Sequence, residues 1–197
     1  GLDPLPVFDE PAPGPLATPE LLDEYPLVLC TGARRWPYFH SEHRQAKRLL
    51  AMHPDPWIEI HPETCAELGV ADGDWVWVEN MLGRAKRRVK ETPIFDPRIV
   101  AADHGWWNPE GDPENLYDIG DLCINNLIAW GNGKSGFGGN YKTNLCKVYK
   151  MKEGEGHGGI RAAGGLRVVH GMPFVRDGVR GGARVPAGPV RRGGVRG

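Results

Sequence analysis

Four polar stretches carry the side chains that could do chemistry. Thr31-Gly32-Ala33-Arg34-Arg35-Trp36-Pro37-Tyr38-Phe39-His40-Ser41 combines a glycine, paired arginines, aromatic rings and a histidine. Asp103-His104-Gly105-Trp106-Trp107-Asn108 sets a carboxylate and an imidazole beside two indoles, and Asn125-Asn126 places adjacent amides inside the apolar run LCINNLI. The last stretch, 131–142, reads GNGKSGFGGNYK. Amides and imidazoles recognise ring edges, aromatic faces stack, and cations with glycine backbone amides hold anions. The set suits a large, flat, hydrogen-bonding ligand with phosphates. No G-x-S-x-G, H-E-x-x-H or Walker loop accompanies it, so these residues do not assemble a catalyst unaided.

Each stretch follows or interrupts an apolar run. Leu27-Val28-Leu29-Cys30 reads as a buried strand that empties into the first, and Arg98-Ile99-Val100-Ala101-Ala102 as one that delivers the second. A rigid strand ending in a polar loop is a common support for binding groups. His40 and His104 have an ordinary reading as partly buried histidines bonded to carbonyls, but their positions at strand ends favour function. Paired amides in an apolar run need partners, because burying them unpaired is costly.

The stretch from Ile58 to Thr92 organises the rest. Ile58 and Ile60 alternate with polar neighbours, Pro62, Glu63 and Thr64 open a short helix, and Gly69 stops it. Asp72-Gly73-Asp74 is a tight turn, Trp75 to Glu79 a strand, and 80–83 a hairpin connection into a strand from Arg84 to Thr92. There Arg84, Lys86, Arg88 and Lys90 share one parity, which predicts one cationic, solvated face. The order is too short for a full crossover helix, which points to a small closed β-barrel and not a doubly wound sheet. Glu42 to Met52 is helix-compatible, and Tyr141 to Lys150 reads as a final strand.

The chain has 197 residues, a net charge of -1 and 40% hydrophobic residues, enough for one ordinary globular core. That balance does not favour a nucleic-acid partner. Cys30, Cys65, Cys123 and Cys146 form no CxxC pair, so free thiols are expected in place of a zinc knuckle or disulfide scaffold. No apolar run approaches a membrane span, and 1–20 lack a secretory signal pattern. Residues 1–25, rich in Pro and acid, read as an extended linker with little regular structure. Residues 26–150 hold the barrel, and 151–197 collapse to Gly, Arg, Val, Ala and Pro, a low-complexity tail expected to be disordered. The chain begins GLDPLPVFDEPAPGP without an initiating Met, which suggests a piece of something longer.

In order and spacing, PLVLCTGARRWPYFHSEHRQ, HPETCAELGVADGDWVWVENMLGRAKRRVKET, HGWWNPE, NNLI and GGNYKTNLCKVYK resemble one known domain. It is the C-terminal molybdopterin-dinucleotide-binding domain of the dimethyl-sulfoxide-reductase (molybdopterin oxidoreductase) family. The second run alone also fits double-psi barrels of certain AAA ATPases; the TG, HS, HGWW and NNL segments discriminate. The resemblance implies a mainly β, double-psi β-barrel with short helices. It implies a cofactor, molybdopterin guanine dinucleotide with molybdenum or tungsten, contacted by Thr31, Gly32, Arg34, His40 and Ser41, with His104 and Trp106 nearby and Asn126, Tyr141 and Lys142 closing from later loops. Of Arg34 and Arg35, one is expected to face phosphate and one solvent; Trp106 and Trp107 are expected mainly to pack, with one touching cofactor. The family's metal-ligand residue and iron–sulfur cysteines are absent from the matched region. The implied role is a cofactor-binding fragment of an oxidoreductase that is not catalytic alone, partnered by upstream domains and an iron–sulfur electron-transfer subunit, in the cytoplasm or exported folded to the periplasm. A stand-alone double-psi adaptor that binds protein or peptide is the alternative.

Overall fold

The computed structural model describes residues 5, 8–33, 35–40, 42–129 and 139–152. Arg34, Ser41, most of the glycine loop and the low-complexity tail beyond Lys152 therefore lie outside the described residues. The chain divides into two units, Gly1–Gly158 and Gly159–Gly197, and the second falls wholly outside them.

Six strands close into a barrel in the order β1-β5-β2-β4-β3-β6. They are β1 (Leu27–Ala33), β2 (Trp57–Ile60), β3 (Trp75–Asn80), β4 (Gly83–Glu91), β5 (Ile99–Asp103) and β6 (Asn144–Lys150). β1/β5 and β2/β4 pair in parallel and the other four neighbours antiparallel, within a double-psi β-barrel. Closure leaves no strand edge exposed. Leu29, Ile58, Ile60, Val76, Val78, Ala85, Val89 and Val100 fill the interior.

The helix predicted in the organising stretch is α2 (Pro62–Leu68). Pro62 opens it, the His61 side chain accepts from Glu63 N, and Gly69 ends it in the left-handed region at φ 65°. The first helix is shorter than its composition suggests. Glu42 to Ala46 forms turns, and α1 covers only Lys47–Met52. Strand β1 runs further than expected, through Thr31, Gly32 and Ala33, because β5 supplies a parallel partner along that length. Asn125 and Asn126 sit in a 3-10 turn, Ile124–Leu127, and not in a strand.

Along β4 the parity reading holds: Ala85, Arg87 and Val89 are buried. Of the outward cations, Arg84 and Lys90 are exposed as expected, while Lys86 and Arg88 are only partly so. Lys86 meets Asp121 at 3.4 Å, Arg88 meets Asp55 at 2.5 Å, Lys90 meets Asp72 at 3.8 Å, and Arg84 lies over the Trp77 ring at 4.0 Å. Carboxylates of neighbouring elements thus offset the charge of Lys86, Arg88 and Lys90. Residues of the expected linker are also more ordered: Pro19–Asp23 form a 3-10 helix, and Tyr25 is buried beside Lys147. Cys30, Cys65, Cys123 and Cys146 are free thiols. Among the described residues, no helix is long and apolar enough to cross a membrane.

Candidate functional site

Strand direction gathers the polar loops. β1 and β5 run parallel and end together, with Thr31 beside Ala102 and Ala33 beside Asp103. β6 begins where β1 ends, since Leu29 pairs antiparallel with Asn144, and β2 begins where β5 ends, since Ile58 pairs antiparallel with Ala102. The β3–β4 hairpin joins the same end through the pairing of Glu79 with Lys147. The connections β1 to β2, β3 to β4 and β5 to β6 therefore all open at one mouth. α2 and the turn from β4 to β5 occupy the other end.

At this mouth Thr31, Tyr141 and Lys142 come together. Thr31 N donates to Tyr141 O at 2.7 Å, and Lys142 Nζ donates to Thr31 O at 2.8 Å. Thr31 is buried, yet its Oγ1 has no hydrogen-bond partner among the described residues. His40 and His104 meet across the two loops through Nδ1 and Nε2, with ring centroids 4.7 Å apart. Gly32 lies in β1 between Thr31 and Ala33. Arg34 and Ser41 lie outside the described residues.

Asn126 and Trp106 are placed differently. Asn126 is exposed, and its Nδ2 donates to Ile119 O and Gly120 O, both at 3.0 Å, anchoring α3 (Ile119–Leu122). Both amide hydrogens are thereby used, which leaves Oδ1 for a ligand. Its neighbours Ile124 and Leu127 plug the barrel, and Asn80 Nδ2 secures the plug by donating to Leu127 O at 2.8 Å. Trp106 is 4% exposed and lies under the Arg44 guanidinium at 3.4 Å, with Tyr38 against Arg44 at 4.6 Å. It packs, and its face is taken by a cation.

The sequence reading missed the charges beneath the mouth. Asp103 Oδ1 accepts from Arg35 Nε at 2.5 Å, and its Oδ2 accepts from Trp57 N at 3.1 Å and meets His53 Nε2 at 2.6 Å. Arg35 in turn clasps Glu59 through two bonds at 3.1 and 3.0 Å. Burial alone would raise the Asp103 carboxyl, but the His53 hydrogen bond and the Arg35 charge hold it below its ordinary value of 3.8. Arg35 is therefore neither solvent-facing nor phosphate-facing, as the Arg34-Arg35 pair had suggested; it staples the exits of β1 and β5 to β2. Tandem arginines in sequence carry no sign of a carboxylate 68 residues away.

Two further arginines are buried without a carboxylate bridge among the described residues. Arg87, inside the barrel, donates to Lys86 O and Leu122 O at 2.6 Å and to Asp103 O at 3.2 Å. Arg44 donates to Gly105 O at 3.2 Å, and its Nε and Nη1 find no hydrogen-bond partner among the described residues. Burial pushes both down to about 10, which still leaves them charged at neutral pH. The floor of the mouth therefore carries an excess of positive charge. A cavity of about 420 Å³ at the opposite end, lined by residues including Pro15, Val28, Arg98 and Ile99, holds none of the predicted residues. Among the described residues no group of three His, Cys, Asp or Glu side chains is placed to hold a metal ion.

Residues 27–144 match the family described as molydopterin dinucleotide binding domain. The chain belongs to that family. Its relatives include members of the dimethyl-sulfoxide-reductase (molybdopterin oxidoreductase) family. Acetylene hydratase of Syntrophotalea acetylenica is 40% identical over 116 residues, 58% of this chain and 16% of that protein. Dimethyl sulfoxide reductase DmsA of Escherichia coli K12 is 31% identical over 153 residues, 76% of this chain and 18% of that protein. The solved acetylene hydratase from Pelobacter acetylenicus superposes with a TM-score of 0.70 at 32% identity, covering 77% of this chain and 22% of that one. This chain thus spans under a quarter of the length of these relatives.

Proposed function

We propose that the mouth binds a pterin guanine dinucleotide carrying molybdenum or tungsten, and that this chain is the part of a larger oxidoreductase that closes over that cofactor. The observation carrying the proposal is the joining of Thr31, Tyr141 and Lys142 at the same barrel end as the His40–His104 contact. The fit to such a group is chemical. A buried hydroxyl without a partner, an excess of buried guanidinium charge and a lysine at the rim all favour an anionic ligand rich in hydrogen-bonding groups.

Thr31, Gly32 and His40 form one wall in this reading. His104 stands beside it, and Tyr141, Lys142 and the Oδ1 of Asn126 close from the later connection, with Trp106 packed against Arg44 and Tyr38. The metal–pterin group supplies the reacting centre when bound, while the chain binds, orients and screens it. Further domains of the same enzyme supply the metal's protein ligand, and an iron–sulfur subunit is the expected electron partner. Exposed rings at the mouth, Trp36, Phe39 and Tyr117, suit burial against such domains.

The test is metal and pterin content of the full-length enzyme. Lys142→Ala removes a charge-assisted contact, for which about tenfold weaker cofactor retention is expected. Full content in Lys142→Ala and in Tyr141→Ala together would overturn the reading.

A further inference from the structure

Asn140 is 3% exposed and makes bonds on every side of its amide. Its Nδ2 donates to Pro11 O at 3.0 Å and Pro13 O at 2.7 Å, across 129 and 127 residues of chain. Its Oδ1 accepts from Thr143 N at 3.0 Å and Thr143 Oγ1 at 2.9 Å, and its backbone oxygen accepts from Asn144 Nδ2 at 2.6 Å. A proline-rich segment offers carbonyls and few N–H groups, so it can be held only by a donor from outside. A primary amide has two N–H bonds, and here two proline carbonyls receive them.

The arm that Asn140 grips is itself folded. Glu10 Oε2 accepts from Leu16 N at 2.6 Å and Ala17 N at 2.7 Å, and Thr18 N donates to Gly14 O at 2.9 Å. Beyond Asn140 the chain passes directly into Tyr141 and Lys142, which bond to Thr31. One buried side chain therefore joins the arm before β1 to the loop at the mouth.

We propose that Asn140 is a positioning residue that couples the seating of the 9–18 arm to the placement of Tyr141 and Lys142 against Thr31. A displacement of the arm is passed to the mouth through Asn140, and loss of the mouth contacts loosens the arm in return. The consequence for the ligand rests on the cofactor reading above; the coupling itself does not.

Amide hydrogen exchange on the full chain tests it, because each bond named protects a particular N–H. Asn140→Asp keeps the Oδ1 acceptor for Thr143 and replaces the two donors with an oxygen facing two carbonyls. Exchange at Ala17, Thr18 and Thr31 is expected to rise about tenfold or more, while Val76 and Val78 in β3 keep wild-type protection. Glu10→Ala, which disrupts the arm without touching the mouth, is expected to speed exchange at Thr31 as well. An unchanged Thr31 amide in both variants overturns the proposal, as does loss of protection at Val76 and Val78, which would show general destabilisation. Thr143→Val, which spares both donors, is expected to leave Ala17 and Thr18 protected. Cofactor content of the full-length Asn140→Asp enzyme is read separately. Coupled exchange with full content supports the coupling and counts against the cofactor reading, whereas uncoupled exchange with lowered content does the reverse.

Discussion

At the end of the barrel that carries α2, several cap and turn groups are answered close by in the chain, although Thr64 Oγ1 reaches Pro97 O and Lys150 Nζ reaches Asp74 Oδ2. His61 caps Glu63 N, Asp74 Oδ2 accepts from Ala71 N at 2.9 Å, and Gly69 and Gly73 take the positive φ angles the turns require. At the mouth the partners are remote: Arg35 reaches Glu59 and Asp103, Arg87 reaches Leu122, and Asn140 reaches Pro11. Three arginines are buried or half-buried there, two of them without a carboxylate bridge among the described residues. Buried charge and unpartnered polar atoms oppose folding, so their concentration at one end is a cost that local packing there does not offset.

The sharpest way to break that contrast is Asp103→Ala, which leaves buried His53 without its carboxylate and Arg35 with Glu59 alone. A loss of roughly 3–5 kcal/mol is expected in urea unfolding. A loss under about 1 kcal/mol would make the mouth network no more consequential than a surface pair. Acid titration sharpens the same point. The folded Asp103 carboxyl lies below its ordinary 3.8, so its stabilisation is fully present above that value and disappears as pH falls through the lowered folded value. The melting temperatures of wild type and Asp103→Asn should accordingly converge on the acid side and diverge above about pH 4–5.

At the other end effects should be smaller and local. Gly69 has φ 65° and open space where a Cβ would stand, so Gly69→Ala meets backbone strain without a clash. About 1 kcal/mol is expected from chemical denaturation, with no change in cofactor content of the full-length enzyme. Lys90→Ala breaks a 3.8 Å pair with Asp72 whose two side chains are about half exposed, and less than about 0.5 kcal/mol should register in the same assay. A large effect at Lys90 would mean that the outer face of β4 bears load the geometry does not show.

How legible each part was follows the same division. The α2 helix, its glycine stop, the hairpin and the inward parity of Ala85, Arg87 and Val89 could all be read from local pattern, because near neighbours decide them. The polar loops were legible as loops. Asn140 was not singled out, since an asparagine in a glycine-rich run is an ordinary turn residue until two proline carbonyls arrive from more than a hundred positions earlier. Asp103 looked like the start of a loop, and only the parallel pairing of β5 with β1 and its approach to His53 make it a buried hub.

By itself, the order of apolar runs, turn residues and polar loops determined a small closed barrel and the kind of ligand its loops suit, since periodicity and residue chemistry are properties of short segments. Only the tertiary structure decided that the loaded connections share one mouth, because strand direction within a closed barrel is set by pairing across its whole circumference. It also decided which arginine is neutralised and which is not. Burial and charge pairing depend on residues that meet in space and share no neighbourhood in the chain.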